Sequence, residues 1–219
     1  MLRCEMSMYL LAAAPIAYVF MLVTADSTAE AYSSVVKPLL RGIVVWIVSY
    51  LVYLFVSPLV PLQYDAPQIY GYYAFHDFGY WTSVGIVGFL LVRFLRRDRP
   101  KEPALVSAGA FFLGVFLVQP VIDLITFHKV LNAYHLFLLP TLRILLVYAF
   151  ASLISIYRDF SGLVQAVVYI AMFGFSLLLA FVPMLFTLSY PVYAYLLAVV
   201  LAAGVALLYL YALHAGTND

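Results

Sequence analysis

Gln119-Pro120-Val121-Ile122-Asp123-Leu124-Ile125-Thr126-Phe127-His128-Lys129-Val130-Leu131-Asn132-Ala133-Tyr134-His135 closes one apolar run of the chain and opens the next. Arg143 follows inside that second run. The flanking residues on either side are apolar for about twenty positions, the length that crosses the hydrocarbon of a bilayer. Read outward from this stretch, the chain is a series of such runs. It is 67% hydrophobic and 10% charged, with a mean hydropathy of +1.07, whereas an ordinary soluble domain is about half apolar and a quarter charged. The expected fold is therefore all-α, a polytopic transmembrane helix bundle forming one integral membrane domain over residues 1–219.

Seven spans are predicted: 6–24, 39–60, 78–95, 104–125, 131–156, 163–188 and 191–213. The loop after the third carries Arg93, Arg96, Arg97, Arg99 and Lys101, and an excess of Lys and Arg marks cytoplasmic loops. With that loop inside, Lys37, Arg41 and Arg158 also fall inside, Arg3 and Lys129 outside. The N-terminus is then outside and the C-terminus cytoplasmic. Ala29-Glu30-Ala31 has the small residues of a signal-peptide cleavage site. Cleavage there would export the basic loop, so the first run is read as a retained span. The expected location is the cell inner (plasma) membrane.

The loops follow from the same count. Residues 61–77, with Pro61, Pro67, Gly71 and a cluster of Tyr and Phe, read as a segment lying on the outer surface with its rings at headgroup level. Asp159-Phe160-Ser161-Gly162 reads as a tight inner turn and Ser189-Tyr190-Pro191 as a tight outer one. Pro15, Pro58, Pro120, Pro140 and Pro183 fall within spans. Each lacks a backbone N–H and leaves a carbonyl that neighbouring helices or water must satisfy.

The candidate site lies in the opening stretch. On a helix starting near Phe127, His128, Asn132, His135 and Arg143 fall within about 80° of one another, a polar stripe on one face. At 1.5 Å per residue, Arg143 lies about 20 Å above the inner end of its span and Gln119 about 22 Å above the start of its own. A guanidinium inside hydrocarbon needs a partner; Gln119 and Asp123, across the hairpin, are the expected ones. The binding candidates are thus Gln119, Asp123, His128, Asn132, His135 and Arg143. Such a group can equally be a buried pair that fixes the hairpin register. The sixth span offers a second stripe, Gln165, Tyr169, Met172 and Ser176, which reads as interhelical hydrogen bonding or as the inner half of a path.

Several functions are excluded or disfavoured. A net charge of +1 gives no argument for nucleic acid. Cys4 is the only cysteine, so no internal disulfide or cysteine metal cluster can form. No span contains lysine, which excludes a retinal Schiff base, and HExxH, GxSxG and Walker patterns are absent. The outer His and Asp residues match no metal-ligand spacing, and no cofactor or metal is expected. Carboxylates fall in loops or at span ends, which argues against a proton-driven carrier. The expected role is a non-enzymatic subunit that anchors or assembles a larger membrane complex, its partners the lipid bilayer and other membrane subunits. The alternative is a small-solute or ion transporter with an outward-facing polar site between spans four and five. A membrane enzyme with an outer His/Asp site comes third.

Overall fold

The computed structural model describes residues 32–61, 65–95, 104–116, 118–119, 138–157, 160 and 162–216. Helix α1 spans Lys37–Val56, entered through a π-helical turn at Tyr32–Val36 and left through a 3-10 turn at Ser57–Leu59. Helix α2 (Ala66–Tyr73) passes through a π-helical segment, Ala74–Gly79, into α3 (Tyr80–Leu95). Helices α4 (Ala104–Phe116), α5 (Leu139–Ile156), α6 (Gly162–Leu179), α7 (Phe181–Thr187) and α8 (Pro191–Gly216) complete the described chain. No strand occurs among the described residues.

Four stretches are long and apolar enough to cross a membrane: Ser34–Leu59, Leu139–Ile156, Gly162–Thr187 and Pro191–His214. They coincide with the second, fifth, sixth and seventh predicted spans. The third lies within the helix that ends at Leu95. Helix α4 carries the start of the fourth as a shorter apolar helix. Residues 6–24, and those around the turn joining the fourth and fifth spans, lie outside the described residues.

Helix α4 is central. Phe111 through Phe116 are all buried, and the helix packs against α1 on one side and α5 on another. Glycine makes the first contact possible. A Cβ on Gly42 would overlap the Phe111 carbonyl oxygen, and one on Gly114 would overlap the Leu39 carbonyl oxygen. The two backbones thus touch, the close approach that small residues permit between membrane helices. Phe112 then packs edge-on against Phe150 of α5 at 5.2 Å and stacks with Phe116 at 6.0 Å. Helix α5 also meets α6 and α8, and α7 meets α8 and α2.

One expectation is corrected. Pro67 and Gly71 do not interrupt the chain as helix breakers; residues 66–77 are helical. Pro67 sits in the first turn of α2, where its missing N–H has no helical acceptor to lose. Gly71 lies in the helix with open space around it. Backbone angles at Ala74 and Tyr80 stay helical, so one helical run of about 45 Å extends from Ala66 to Leu95. Ile69, His76, Phe78 and Trp81 are buried. The sixth predicted span is present as the stretch Gly162–Thr187, with a break at Ala180 between α6 and α7. Pro183 cannot donate to the Leu179 carbonyl, and the chain turns at Ala180, whose N–H bonds Leu177 O at 3.2 Å. The tight turn read at Ser189–Pro191 is present. Ser189 has φ of 65°, its N–H bonds Phe186 O, and Tyr190 N–H bonds Leu185 O. This is the Schellman ending of a helix, with serine where glycine is usual.

Candidate functional site

Helix α5 buries Leu139, Leu142, Leu146, Val147 and Phe150. Arg143 lies on the same face and is 2% exposed. A guanidinium so enclosed must be answered by acceptors. Its first acceptor follows from the sequence. Four residues after Phe116 comes Pro120, which has no N–H to close a helical bond to the Phe116 carbonyl. Arg143 Nη1 donates to that oxygen at 3.2 Å.

Its second partner comes from the π-helical segment. Arg143 Nη2 lies 4.0 Å from Asp77 Oδ1, and the Asp77 side chain is 14% exposed. This ion pair links α5 to the Ala66–Leu95 run, over a separation longer than a direct hydrogen bond. Arg143 Nε has no acceptor among the described residues. Asp77, expected on an outer surface, is therefore a largely enclosed carboxylate. It lies in a helical segment and not in a loop.

His76 precedes Asp77 and is also buried. Its Nε2 lies 2.8 Å from the Val60 carbonyl and its Nδ1 2.6 Å from Tyr53 Oη. A carbonyl only accepts, so Nε2 carries the proton. In the neutral ring Nδ1 then accepts from the Tyr53 hydroxyl. Trp81 Nε1 donates to the His76 carbonyl at 2.9 Å, and Tyr80 Oη to the Ser49 carbonyl at 2.6 Å. Trp46, Tyr50 and Tyr53 recur at helical spacing along α1. Trp46 stacks on Trp81 at 6.2 Å, while Tyr53 packs against Tyr80 at 5.3 Å. Aromatic contact and hydrogen bonds therefore join α1 to this segment together.

The other side of the segment is tied to the α6–α7 break. Tyr70 Oη donates to the Leu177 carbonyl at 3.2 Å, and Tyr73 Oη lies 2.8 Å from Thr187 Oγ1. Burial raises the pKa of the Tyr72 phenol, and the nearby Asp77 carboxylate raises it further. Burial raises that of Tyr73 as well, against the lowering effect of its bond to Thr187. Both phenols are thereby held in the neutral form. A pattern emerges: long side chains donate to the carbonyls of Phe116, Val60 and Leu177 on neighbouring parts of the bundle.

Of the six candidates read from the sequence, Arg143 and Gln119 are among the described residues. Gln119 is half-buried near the end of α4, three residues beyond the carbonyl that Arg143 caps. Asp123, His128, Asn132 and His135 lie outside the described residues. The sequence reading missed Asp77, His76, Tyr53 and the Phe116 carbonyl as members of this polar layer. The missing N–H of Pro120 was the signal for the last. For the sixth-span stripe, Gln165 Nε2 donates to Phe160 O and Ser176 Oγ to Phe173 O. Both are local bonds, and Met172 is wholly buried. Among the described residues, no three His, Cys, Asp or Glu side chains gather as metal ligands would.

Compared with protein-family models, with characterised proteins and with solved structures, the chain matches none.

Proposed function

We propose that this chain is a non-enzymatic, membrane-embedded subunit that anchors or assembles a larger membrane complex, residing in the plasma membrane. The observation that carries this reading is the use made of the interior polar side chains. Arg143, His76, Tyr70 and Tyr80 each donate to a backbone carbonyl of another part of the bundle. Their chemistry serves helix joining. The outer helices point the same way. Helix α8 exposes Val192, Leu196, Val199, Val200, Leu207 and Leu210 along its length. Tyr193 and Tyr211, also exposed, are separated by about 27 Å of helix, close to the thickness of bilayer hydrocarbon. Tyrosine favours both membrane boundaries. Helix α1 exposes Val44, Val48, Leu51 and Phe55. Such faces suit lipid and neighbouring transmembrane helices alike.

Extraction into polymer-bounded native nanodiscs tests this reading. The particle is expected to contain a second polypeptide in fixed stoichiometry with the 24.5 kDa chain. A particle holding this chain alone would contradict it.

A second reading is a transporter whose polar site is framed by Gln119, Asp123, His128, Asn132, His135 and Arg143. It is favoured by Arg143 Nε, enclosed and without an acceptor among the described residues. An anionic or carboxylate-bearing solute would suit that donor. Uptake of a panel of small carboxylates into proteoliposomes, lost in Arg143→Met protein that still folds, would favour this second reading over the first.

A further inference from the structure

Arg143 presents its guanidinium as two edges with different work. Nη1 is committed to the Phe116 carbonyl at 3.2 Å, which holds the head group in position. Nε and Nη2 form the other edge, the one that takes a planar oxyanion in two parallel bonds. Asp77 underfills it. Its Oδ1 stands 4.0 Å from Nη2, beyond direct hydrogen-bond contact, and the buried Nε has no acceptor among the described residues. The charge balance depends on one proton. With Asp77 ionised, its carboxylate answers the guanidinium. With Asp77 protonated, a positive charge is left in an apolar interior, which is costly unless another anion takes the carboxylate's place. The Asp77 side chain is 14% exposed against 3% for Arg143, so it is the reachable member of the pair. It sits in the π-helical segment Ala74–Gly79, a form of helix that recurs at functional sites.

We propose that the Nε–Nη2 edge of Arg143 binds a small monovalent oxyanion when Asp77 takes up a proton, so that anion and proton are held together. The carboxyl group, once neutral, gives up the edge, and the loaded site carries the same charge as the empty one. Each ligand then strengthens the binding of the other by the same factor. The sign follows from competition: lowering the pH neutralises Asp77, removes the rival for the edge and raises the affinity for the anion. Among the described residues, the titratable and charged groups around Asp77 are Arg143 from α5 and Tyr72 and Tyr73 from its own helical run. His76 is the adjacent residue, held by Tyr53 of α1. The proposal rests on the second reading above, in which Arg143 meets an anionic solute, and adds that the solute is accompanied by a proton.

The test titrates the full chain in neutral detergent with nitrate, a planar oxyanion that does not itself buffer. Ionic strength is held constant with the larger gluconate anion. Binding is read as a rise in melting temperature, and proton uptake with a pH indicator in weak buffer. While Asp77 of the empty site is ionised, about one proton should be taken up per nitrate bound. The apparent affinity should then rise about tenfold for each unit of pH lowered, the slope of one coupled proton. Asp77→Asn should bind nitrate with no proton uptake and no pH dependence, and Arg143→Met should lose nitrate binding. If neither variant folds, difference infrared spectra of the unaltered chain decide: nitrate should bring up the carbonyl band of a protonated carboxyl group. Nitrate binding without proton uptake, pH dependence or that band would overturn the coupling and leave the second reading standing. A pH slope retained in folded Asp77→Asn would also overturn it, and absence of nitrate binding at every pH would overturn both.

Discussion

Arg143 is an enclosed guanidinium, and its two contacts, a hydrogen bond and a longer ion pair, divide it between backbone and carboxylate. Nη1 caps the Phe116 carbonyl, which Pro120 cannot, and Nη2 reaches toward Asp77. The planar fork turns one nitrogen toward each. Lysine has one nitrogen on a flexible stem, so Arg143→Lys should retain the charge and lose one of the two partners. The expected loss is about 1.5–3 kcal/mol, the range for hydrogen bonds to charged groups, read as a lower midpoint of chemical unfolding in detergent. An unchanged midpoint would show that the fork is not used. That Arg143 needs a protein partner was legible in the sequence from its position inside an apolar run. That Asp77 is one of its partners was not. Depth counted along two adjacent spans compares neighbours across a hairpin, and Asp77 comes from a helix earlier in the chain. The same limit hid His76, whose two ring partners, Tyr53 and Val60, both lie in or just beyond α1.

At the scale of elements, glycine and proline decide where helices touch and where they end. Gly114→Ala would push a methyl into the Leu39 carbonyl and the Ile43 amide of α1. The loss expected from such overpacking is about 1–3 kcal/mol. Gly204, with nothing within 4 Å, is the control. There alanine should be neutral or stabilise by up to about 1 kcal/mol through helix propensity. Equal effects at the two sites, measured by thermal unfolding in detergent, would refute the close α1–α4 contact. Ser189 tests the other device. Its left-handed backbone costs a side-chain-bearing residue about 1–2 kcal/mol that glycine does not incur. Ser189→Gly should therefore raise the melting temperature, unless the turn is not as described. Helices α1, α5 and α8 were legible because each is one apolar run bounded by charge, proline or a turn. The α6–α7 break was half legible: Pro183 was visible, but hydropathy continues through it unchanged. The Ala66–Leu95 run was least legible. Proline and glycine were given their breaking role, although proline at a first turn starts a helix and a single glycine weakens one by only about 1 kcal/mol.

For the molecule as a whole, the described helices build a bundle around α4, with apolar α1 and α8 faces outward and a polar layer joining α1, the Ala66–Leu95 run, α4 and α5. We propose the orientation in which the basic loops face the cytoplasm. Cys4 is the only cysteine and is expected on the outer side. A membrane-impermeant maleimide should label it in intact cells, after any outer membrane is opened, and labelling only after lysis would overturn that orientation. The central claim is that the polar layer is a structural joint, with Arg143 and Asp77 as its ionic link. A double-mutant cycle read from global unfolding in detergent tests it most directly. Arg143→Met and Asp77→Leu should each be strongly destabilising, because each leaves one enclosed charge without the other. The double variant should recover much of the loss, giving a coupling energy of about 1–3 kcal/mol. Losses that simply add, with no coupling between the two positions, would contradict the claim.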